Sequence, residues 1–136
     1  MTALPVTAPL PARNPTVLVV DDNPALQQLA QGMLAQAGIG CCGAADSIAA
    51  LCALAEHPLA TVLIDADCGP LLPWQFAALL RQHPVHGQVR LVYTSTRDDV
   101  IERARALAAG IDAFLAKPFT AEELLAALGT PLATAA

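Results

Sequence analysis

Five short runs of apolar residues recur along the chain, and a longer segment with helical spacing follows each of them. The runs are 16–20 (TVLVV), 39–44 (IGCCGA), 60–64 (ATVLI), 89–94 (VRLVYT) and 112–116 (DAFLA). Successive apolar residues in a short run are typical of a strand that is buried on both faces. The run at 39–44 is the weakest of the five because its glycines disfavour a strand.

The segments between these runs carry the signals that begin and end helices. Asn23 followed by Pro24 is typical of an N-cap and a first helical turn, and Gly110 is placed to end a helix. Thr120 and Glu123 form the sequence pattern of a capping box. The predicted helices span 24–36, from 46 or 47 to 56, 74–82, from 98 or 99 to 109, and 120–128.

Alternation of buried strands with helices predicts an α/β fold, in which a single doubly wound parallel sheet of five strands is covered by five helices. The chain has 136 residues, which suits one domain. The Pro- and Ala-rich segment 1–15 is predicted to be a disordered lead-in, 16–128 the folded domain and 129–136 a flexible tail. Ligands in such folds bind at the carboxyl ends of the strands.

Charged and hydroxyl side chains stand at those strand ends. The residues are Asp21, Asp22, Asp65, Asp67, Thr94, Ser95 and Lys117. Turn or cap chemistry explains each of them singly, but it does not explain their joint occurrence at successive strand ends. Three carboxylates in one small site need a hard cation, and Mg²⁺ (or Mn²⁺) with oxygen ligands fits. Asp65 is then a candidate nucleophile for phosphoryl transfer, with Lys117 and the Ser95 hydroxyl on the phosphoryl oxygens.

Composition narrows the function classes. The net charge is −5 and the seven basic residues are scattered, so no nucleic-acid partner is expected. We also expect no membrane partner and a cytoplasmic location, because no signal peptide or spanning segment is evident. The four cysteines show no metal-ligand spacing and are predicted to be reduced thiols.

At these positions the chain resembles the receiver domains of two-component response regulators, the CheY-like family with a flavodoxin-like fold. The matching motifs are VLVVDDNP (17–24), TVLIDAD (61–67), VYTS (92–95) and AGIDAFLAKPF (109–119). The resemblance covers roughly residues 16–128. The last motif is the most specific, because its Gly, aromatic, Lys and Pro all fall in the register of the family.

The resemblance implies a role for each matched position. Asp22, supported by Asp21, would bind the metal, and Asp65 would bind it and accept the phosphoryl group. Asp67 would contribute its backbone carbonyl to the metal. Lys117 would pair with the phosphoryl oxygens. The peptide bond before Pro118 is a candidate for the cis isomer found in the family.

The resemblance also implies a switch that consists of a hydroxyl and an aromatic ring. Ser95 lies 22 positions before Lys117 (117 − 95), which matches the usual interval of the family, and Thr94 is the second choice. Phe114 matches the switch aromatic, although it is also explained as a plain core residue. Phosphorylation would draw Ser95 inward, let Phe114 rotate and change a protein-binding face.

The implied function is that of a single-domain response regulator, a signalling protein rather than an enzyme. Its partners would be a histidine kinase or a histidine phosphotransfer protein, and a downstream target protein. Segment 68–74 departs from the family pattern, so a phosphorylation-independent docking module is the first alternative. The second is a small phosphatase with an Asp nucleophile, which Asp65-Ala66-Asp67 resembles locally. The position of that motif on the third strand, and the chain length, argue against the phosphatase.

Overall fold

The structure, a computed structural model, describes residues 16–129. The predicted lead-in at 1–15 and residues 130–136 of the predicted tail lie outside the described residues. The strands are β1 (Val17–Val20), β2 (Cys41–Ala44), β3 (Thr61–Asp65), β4 (Arg90–Ser95) and β5 (Ala113–Ala116). The helices are α1 (Pro24–Gln36), α2 (Ser47–Glu56), α3 (Pro73–Arg81), α4 (Val100–Ala109) and α5 (Ala121–Leu128).

All five strands are parallel and form one sheet in the order β2-β1-β3-β4-β5. The order reverses at β1, which lies between β2 and β3, so the carboxyl ends of β1 and β3 are adjacent at the switch in strand order. The predicted doubly wound α/β fold is confirmed. Five strands and five helices occur within residues 16–129, as the pattern of apolar runs predicts.

The strands are buried on both faces because their alternate residues belong to two separate cores. Leu18, Val62 and Leu91 point into the core that α2, α3 and α4 cover. Val19 and Leu63, one position along the same strands, lie in the core under α1 and α5. Continuous apolar runs are therefore the expected sequence of these strands, since neither face meets water.

Side chains at the helix N-termini resolve the two open alternatives for helix starts. Asp46 accepts a hydrogen bond from the Ala49 N–H at 2.8 Å and caps α2. Asp99 accepts bonds from the first turn of α4 and is its N-cap. Asn23 and Thr120 cap α1 and α5 as the sequence predicts.

Several element boundaries differ from the sequence prediction by one or two residues. Strand β2 begins at Cys41 rather than at residue 39, and β4 runs one residue further, to Ser95. Helix α3 spans 73–81 instead of 74–82, because Pro73 occupies its first turn, where a missing N–H has no helical partner to lose.

Arg81, at the end of α3, joins three segments at the amino-terminal edge of the sheet. Its guanidinium donates to the carbonyls of Gly87, Val89 and Gly110 and to the Asp112 carboxylate. Gly110 ends α4 with a φ of 106°, and a Cβ atom there would lie 2.9 Å from the Arg81 side chain. The planar fork of an arginine is needed to serve several carbonyls at once.

None of the helices within residues 16–129 is long and apolar enough to cross a lipid bilayer.

We predict that Arg81→Lys destabilises the fold by about 1–3 kcal/mol, because lysine keeps the charge but leaves part-buried carbonyls without a donor. Urea denaturation followed by circular dichroism measures the difference. Arg105→Lys is the matched control, since Arg105 is an exposed residue of α4 whose guanidinium lies over the Trp74 ring. Equal stability of Arg81→Lys and the wild type would contradict the role of Arg81 in joining these segments.

Candidate functional site

The carboxyl ends of β1, β3 and β5 bring one ammonium group between two carboxylates. Lys117 Nζ donates to Asp65 Oδ1 at 2.6 Å and to Asp21 Oδ2 at 2.8 Å. All three side chains are at most 9% exposed. The lysine follows β5, 96 positions from Asp21 and 52 from Asp65 in the chain. The fold therefore assembles this triad from three separate strand ends.

Asp21 is held in place by its own loop and by α1. Its Oδ1 accepts the N–H of Asn23 at 2.9 Å, and its backbone N–H donates to the Ala44 carbonyl. The Gln27 amide donates to the carbonyls of Asp21 and Ala44, which joins β1 to β2. Gly43 makes this possible, because a Cβ atom there would collide with the Gln27 side chain. Glycine in β2 therefore serves the geometry of the site.

A third carboxylate, Asp22, completes a cluster of oxygen ligands. One carboxylate oxygen from each of Asp21, Asp22 and Asp65 lies within 4.8 Å of the others. Asp22 is exposed, so the cluster opens to solvent on one side. Three carboxylates face one ammonium, and the excess negative charge suits a hard divalent cation with oxygen ligands and retained waters. These residues fit Mg²⁺.

The carboxylate of Asp67 lies outside this cluster. It is paired with the Arg97 guanidinium at 2.8 and 3.0 Å, and its side chain is 63% exposed. The backbone of Asp67 does reach the site, since its N–H donates to Asp65 Oδ2 at 3.3 Å. This placement is compatible with the predicted use of the Asp67 backbone rather than of its side chain.

Burial and charge act in opposite directions on the central pair. Burial raises the pKa of Asp65, the hydrogen bond and charge of Lys117 lower it, the charge of Asp21 raises it, and the result is a raised pKa. For Lys117, burial lowers the pKa, but the hydrogen bonds and charges of Asp21 and Asp65 outweigh burial and raise it. The ammonium thus stays protonated, whereas Asp65 is a more basic carboxylate than usual.

The two candidate hydroxyls, Thr94 and Ser95, are both buried but lie on opposite faces of β4. Thr94 packs toward Asp21 and Lys117 on the face under α1 and α5. Ser95 lines a cavity of about 260 Å³ on the other face, together with Phe114. The Ser95 Oγ accepts the Arg97 N–H at 2.9 Å. Ser95 and Phe114 therefore share one space, from which Thr94 is separated by the sheet.

Phe114 is partly buried between two contacts at the rim of this cavity. Its ring meets the edge of the Tyr93 ring at a centroid distance of 5.6 Å. The Arg103 guanidinium lies 4.5 Å from the ring centroid on another side. Phe114 is therefore only partly a core residue.

The loop after β3, in which the sequence departs from the family pattern, is fixed by contacts to α2. The Ser47 N–H donates to the Gly69 carbonyl, and the Leu71 N–H donates to the Ser47 hydroxyl at 2.9 Å. Burial raises the pKa of Cys68 to about 12, so this thiol beside the site stays protonated. The peptide bonds before Pro70 and Pro118 are both cis.

Several residues that shape the site were missed by the sequence reasoning. Gln27 anchors the loop of Asp21, and Arg97 holds the carboxylate of Asp67. Glu102 and Tyr93 extend the contacts of Arg97. An exposed arginine in a loop carries no sequence signal of a partner 30 positions away, so only the three-dimensional structure shows these contacts.

The sequence and the fold of this chain are similar to those of known proteins. A family model described as the response regulator receiver domain matches residues 17–129. The protein PilG of Pseudomonas aeruginosa is 28% identical over 112 residues, which are 82% of this chain and 83% of PilG. Further curated relatives, which are 28–33% identical, are longer proteins, and the chain spans about half of their length (46–48%).

Solved structures with the same fold are numerous. CheY4, a chemotaxis protein of Vibrio cholerae, superposes with a TM-score of 0.80 at 24% identity, over 86% of this chain and 98% of CheY4. The receiver domain of the sensor histidine kinase PA1611 of Pseudomonas aeruginosa has a TM-score of 0.75 at 24% identity, over 87% and 100% of the two chains. That structure holds a magnesium ion in its active site cleft.

We predict that Mg²⁺ raises the free energy of unfolding through the carboxylate cluster, by about 2.7 kcal/mol at a concentration 100-fold above its dissociation constant. Thermal unfolding with increasing Mg²⁺ measures the effect. Asp22→Asn should weaken the response because it removes a ligand. Asp98→Asn is the control for net charge, since Asp98 is 84% exposed and lies outside the cluster. An equal response of both variants would contradict the site.

We also predict that Asp65→Asn stabilises the fold at pH 7 in the absence of divalent metal. Because the pKa of Asp65 is raised, the folded state binds its proton more tightly than the unfolded chain does. The charged carboxylate therefore destabilises the fold as pH rises through that raised pKa. The advantage of Asp65→Asn should shrink as pH falls toward the unfolded pKa of about 3.9. Unfolding midpoints of the variant and the wild type, measured in EDTA between pH 7 and this pKa, test the sign of the stability difference. A variant that is less stable than the wild type at pH 7 would contradict the prediction.

Proposed function

The chain belongs to the response regulator receiver domain family, and we propose that Asp65 accepts a phosphoryl group from a histidine kinase or a histidine phosphotransfer protein. Receiver domains act in two-component signalling and are generally not enzymes. The single-domain organisation expected from the sequence stays part of the proposal.

One observation carries the acceptor role of Asp65. Lys117 contacts Asp65 at 2.6 Å and Asp21 at 2.8 Å in a site that also gathers Asp22 within ligand distance. Asp21 and Asp65 are both shared by the lysine and the cluster. Both oxygens of Asp21 are engaged, by Lys117 and by the Asn23 N–H at 2.9 Å, whereas Asp65 Oδ2 meets the Asp67 N–H at the longer distance of 3.3 Å. A nucleophile in this position has a cation on one side and metal ligands on the other, which is what a phosphoryl group with several negative oxygens requires.

The transfer step follows from these contacts. A carboxylate oxygen of Asp65 attacks phosphorus while the bond from phosphorus to the donor imidazole nitrogen breaks and its electron pair leaves with the imidazole. Lys117, which keeps its proton, exchanges its contact with Asp65 for a phosphoryl oxygen. Asp21, Asp22, Asp65 and the Asp67 backbone carbonyl would hold Mg²⁺, or Mn²⁺ as the alternative, and the ion would neutralise charge on the phosphoryl group.

The same geometry supports Ser95 as the switch hydroxyl, with Thr94 as the alternative. Phosphorylation adds about −1.5 to −2 charges and new acceptor oxygens at Asp65. Ser95, at the carboxyl end of the neighbouring strand, can donate its hydroxyl to one of them. Because Ser95 lines the 260 Å³ cavity with Phe114, its displacement changes the space open to that ring. Thr94 faces the other core and has no such connection.

Exposed apolar residues on α4 support a protein-binding face next to this switch. Val100 is 76% exposed, Ile101 67% and Leu107 57%, and all three belong to α4. Arg103 of the same helix contacts Phe114. Side chains of this kind are typical of protein interfaces, so a downstream target protein is the partner we propose for this face.

The altered loop after β3 is the feature that suggests the alternative function, a phosphorylation-independent docking module. Residues 69 and 71 are bound to Ser47 of α2, so the altered segment is packed rather than open. The complete triad of Asp21, Asp65 and Lys117 favours phosphorylation over this alternative. The phosphatase alternative has no comparable support, since the family is a signalling family.

We predict that acetyl phosphate with Mg²⁺ adds one phosphoryl group to the chain, as measured by intact mass. Asp65→Asn should remain unlabelled because the nucleophile is gone. Asp67→Asn is the matched control, since it removes a neighbouring carboxylate but keeps the backbone carbonyl. An unchanged wild-type mass, or equal labelling of Asp65→Asn, would defeat the acceptor assignment and leave the docking module as the better function.

A further inference from the structure

Within residues 16–129, Arg97 forms the most connected group of ion pairs outside the triad of Asp21, Asp65 and Lys117. One end of its guanidinium, Nη1, contacts both carboxylate oxygens of Asp67 at 2.8 and 3.0 Å. The other end, Nη2, contacts both oxygens of Glu102 at 3.1 and 3.2 Å. Asp67 is two residues after the acceptor and Glu102 is in the first turn of α4. One side chain therefore connects the acceptor loop with α4.

Glu102 extends this connection into the core. Its Oε1 accepts the Tyr93 hydroxyl at 2.6 Å, and Tyr93 is 4% exposed. Burial and the Glu102 contact both raise the pKa of the Tyr93 phenol, so it stays a donor. The Tyr93 ring packs edge-on against Phe114. The chain of contacts runs from Asp67 through Arg97, Glu102 and Tyr93 to Phe114.

The backbone of Arg97 is also tied to the switch hydroxyl. Its N–H donates to the Ser95 Oγ, the oxygen that would move in the proposed switch. The Arg97 side chain is 42% exposed, and ion pairs at such exposure are weak and readily rearranged. New negative charge at Asp65 therefore acts on Arg97 twice, through the backbone at Ser95 and through attraction of the guanidinium.

We propose that Arg97 is a positioning residue of the switch, which couples phosphorylation at Asp65 to the Tyr93–Phe114 pair through Glu102. In the unphosphorylated state Arg97 fixes Glu102, and Glu102 fixes the Tyr93 hydroxyl. When the phosphoryl group enters, Arg97 shifts, Glu102 follows and the buried phenol must change its hydrogen bond, because a buried donor without an acceptor is unfavourable. This inference rests on the proposed acceptor role of Asp65.

Tyr93 offers a direct readout because it is the only tyrosine in the chain. Ring-¹³C tyrosine gives its resonances without overlap from other tyrosines. Spectra are recorded with Mg²⁺ before and after addition of beryllofluoride, a mimic of a carboxylate-bound phosphoryl group. Intact mass after acetyl phosphate is measured on the same proteins. We expect the Tyr93 ring resonances of the wild type to shift on addition of the mimic.

In Arg97→Gln the shift of Tyr93 should fall to less than half of the wild-type value, while the mass still rises by one phosphoryl group. Arg97→Lys should also lose most of the shift, because an ammonium cannot hold two carboxylates in a planar fork. Arg105→Gln is the control with the same charge change: Arg105 stacks on Trp74, outside this chain of contacts, and should keep the wild-type shift.

The two proposals fail in different ways. A wild-type chain that gains no mass would overturn the acceptor role and with it the coupling. A wild type that gains mass without a Tyr93 shift, or an Arg97→Gln variant with the full shift, would overturn the coupling alone. An Arg97→Gln variant that no longer gains mass would also overturn it, since Arg97 would then act on the transfer itself.

Discussion

The ammonium of Lys117 between Asp21 and Asp65 is the interaction on which the rest of the site depends. Two carboxylates this close would repel each other in a place that is almost closed to water. Lys117 offsets that repulsion at 2.6 and 2.8 Å. Burial of such a group is unfavourable unless its partners are fixed, so the loops that hold Asp21 and Asp65 are part of the same constraint.

Burial of the sheet on both faces fixes the loops that hold Asp21 and Asp65. Because the strands are apolar on successive residues, they pack between two layers of helices, and a shift in their register would disrupt the packing of both cores. The site residues come directly after these strands, so their backbone positions are set by the register of the sheet. Gln27 and Gly43 also fix the position of Asp21. The amide of Gln27 passes over the backbone of Gly43, which has no side chain, and joins β1 to β2.

Sequence alone was sufficient for whatever depends on local pattern or on the ends of strands. It predicted the five strands, the five helices and the edge at which Asp22, Asp65 and Lys117 meet, because parallel strands place their carboxyl ends together. It could not choose between Asp98 and Asp99 as a cap, since both fit the local pattern. It missed the contacts of Arg97 and Arg81 altogether. Those contacts depend on where long, flexible side chains find partners about 30 residues away, and no periodicity encodes that.

The buried contacts of the charged centre and the exposed contacts of Arg97 have different functions. The contacts that fix the charged centre are buried and short, and they resist change. The contacts of Arg97 are exposed and divided between two carboxylates, so a change of charge can rearrange them. A receiver needs both properties, because its acceptor must be held rigidly while its surface must respond. Ser95 lies at the boundary between them, because it ends the strand beside the site and its Oγ accepts the Arg97 N–H. The phosphoryl group that we propose at Asp65 would act at that boundary.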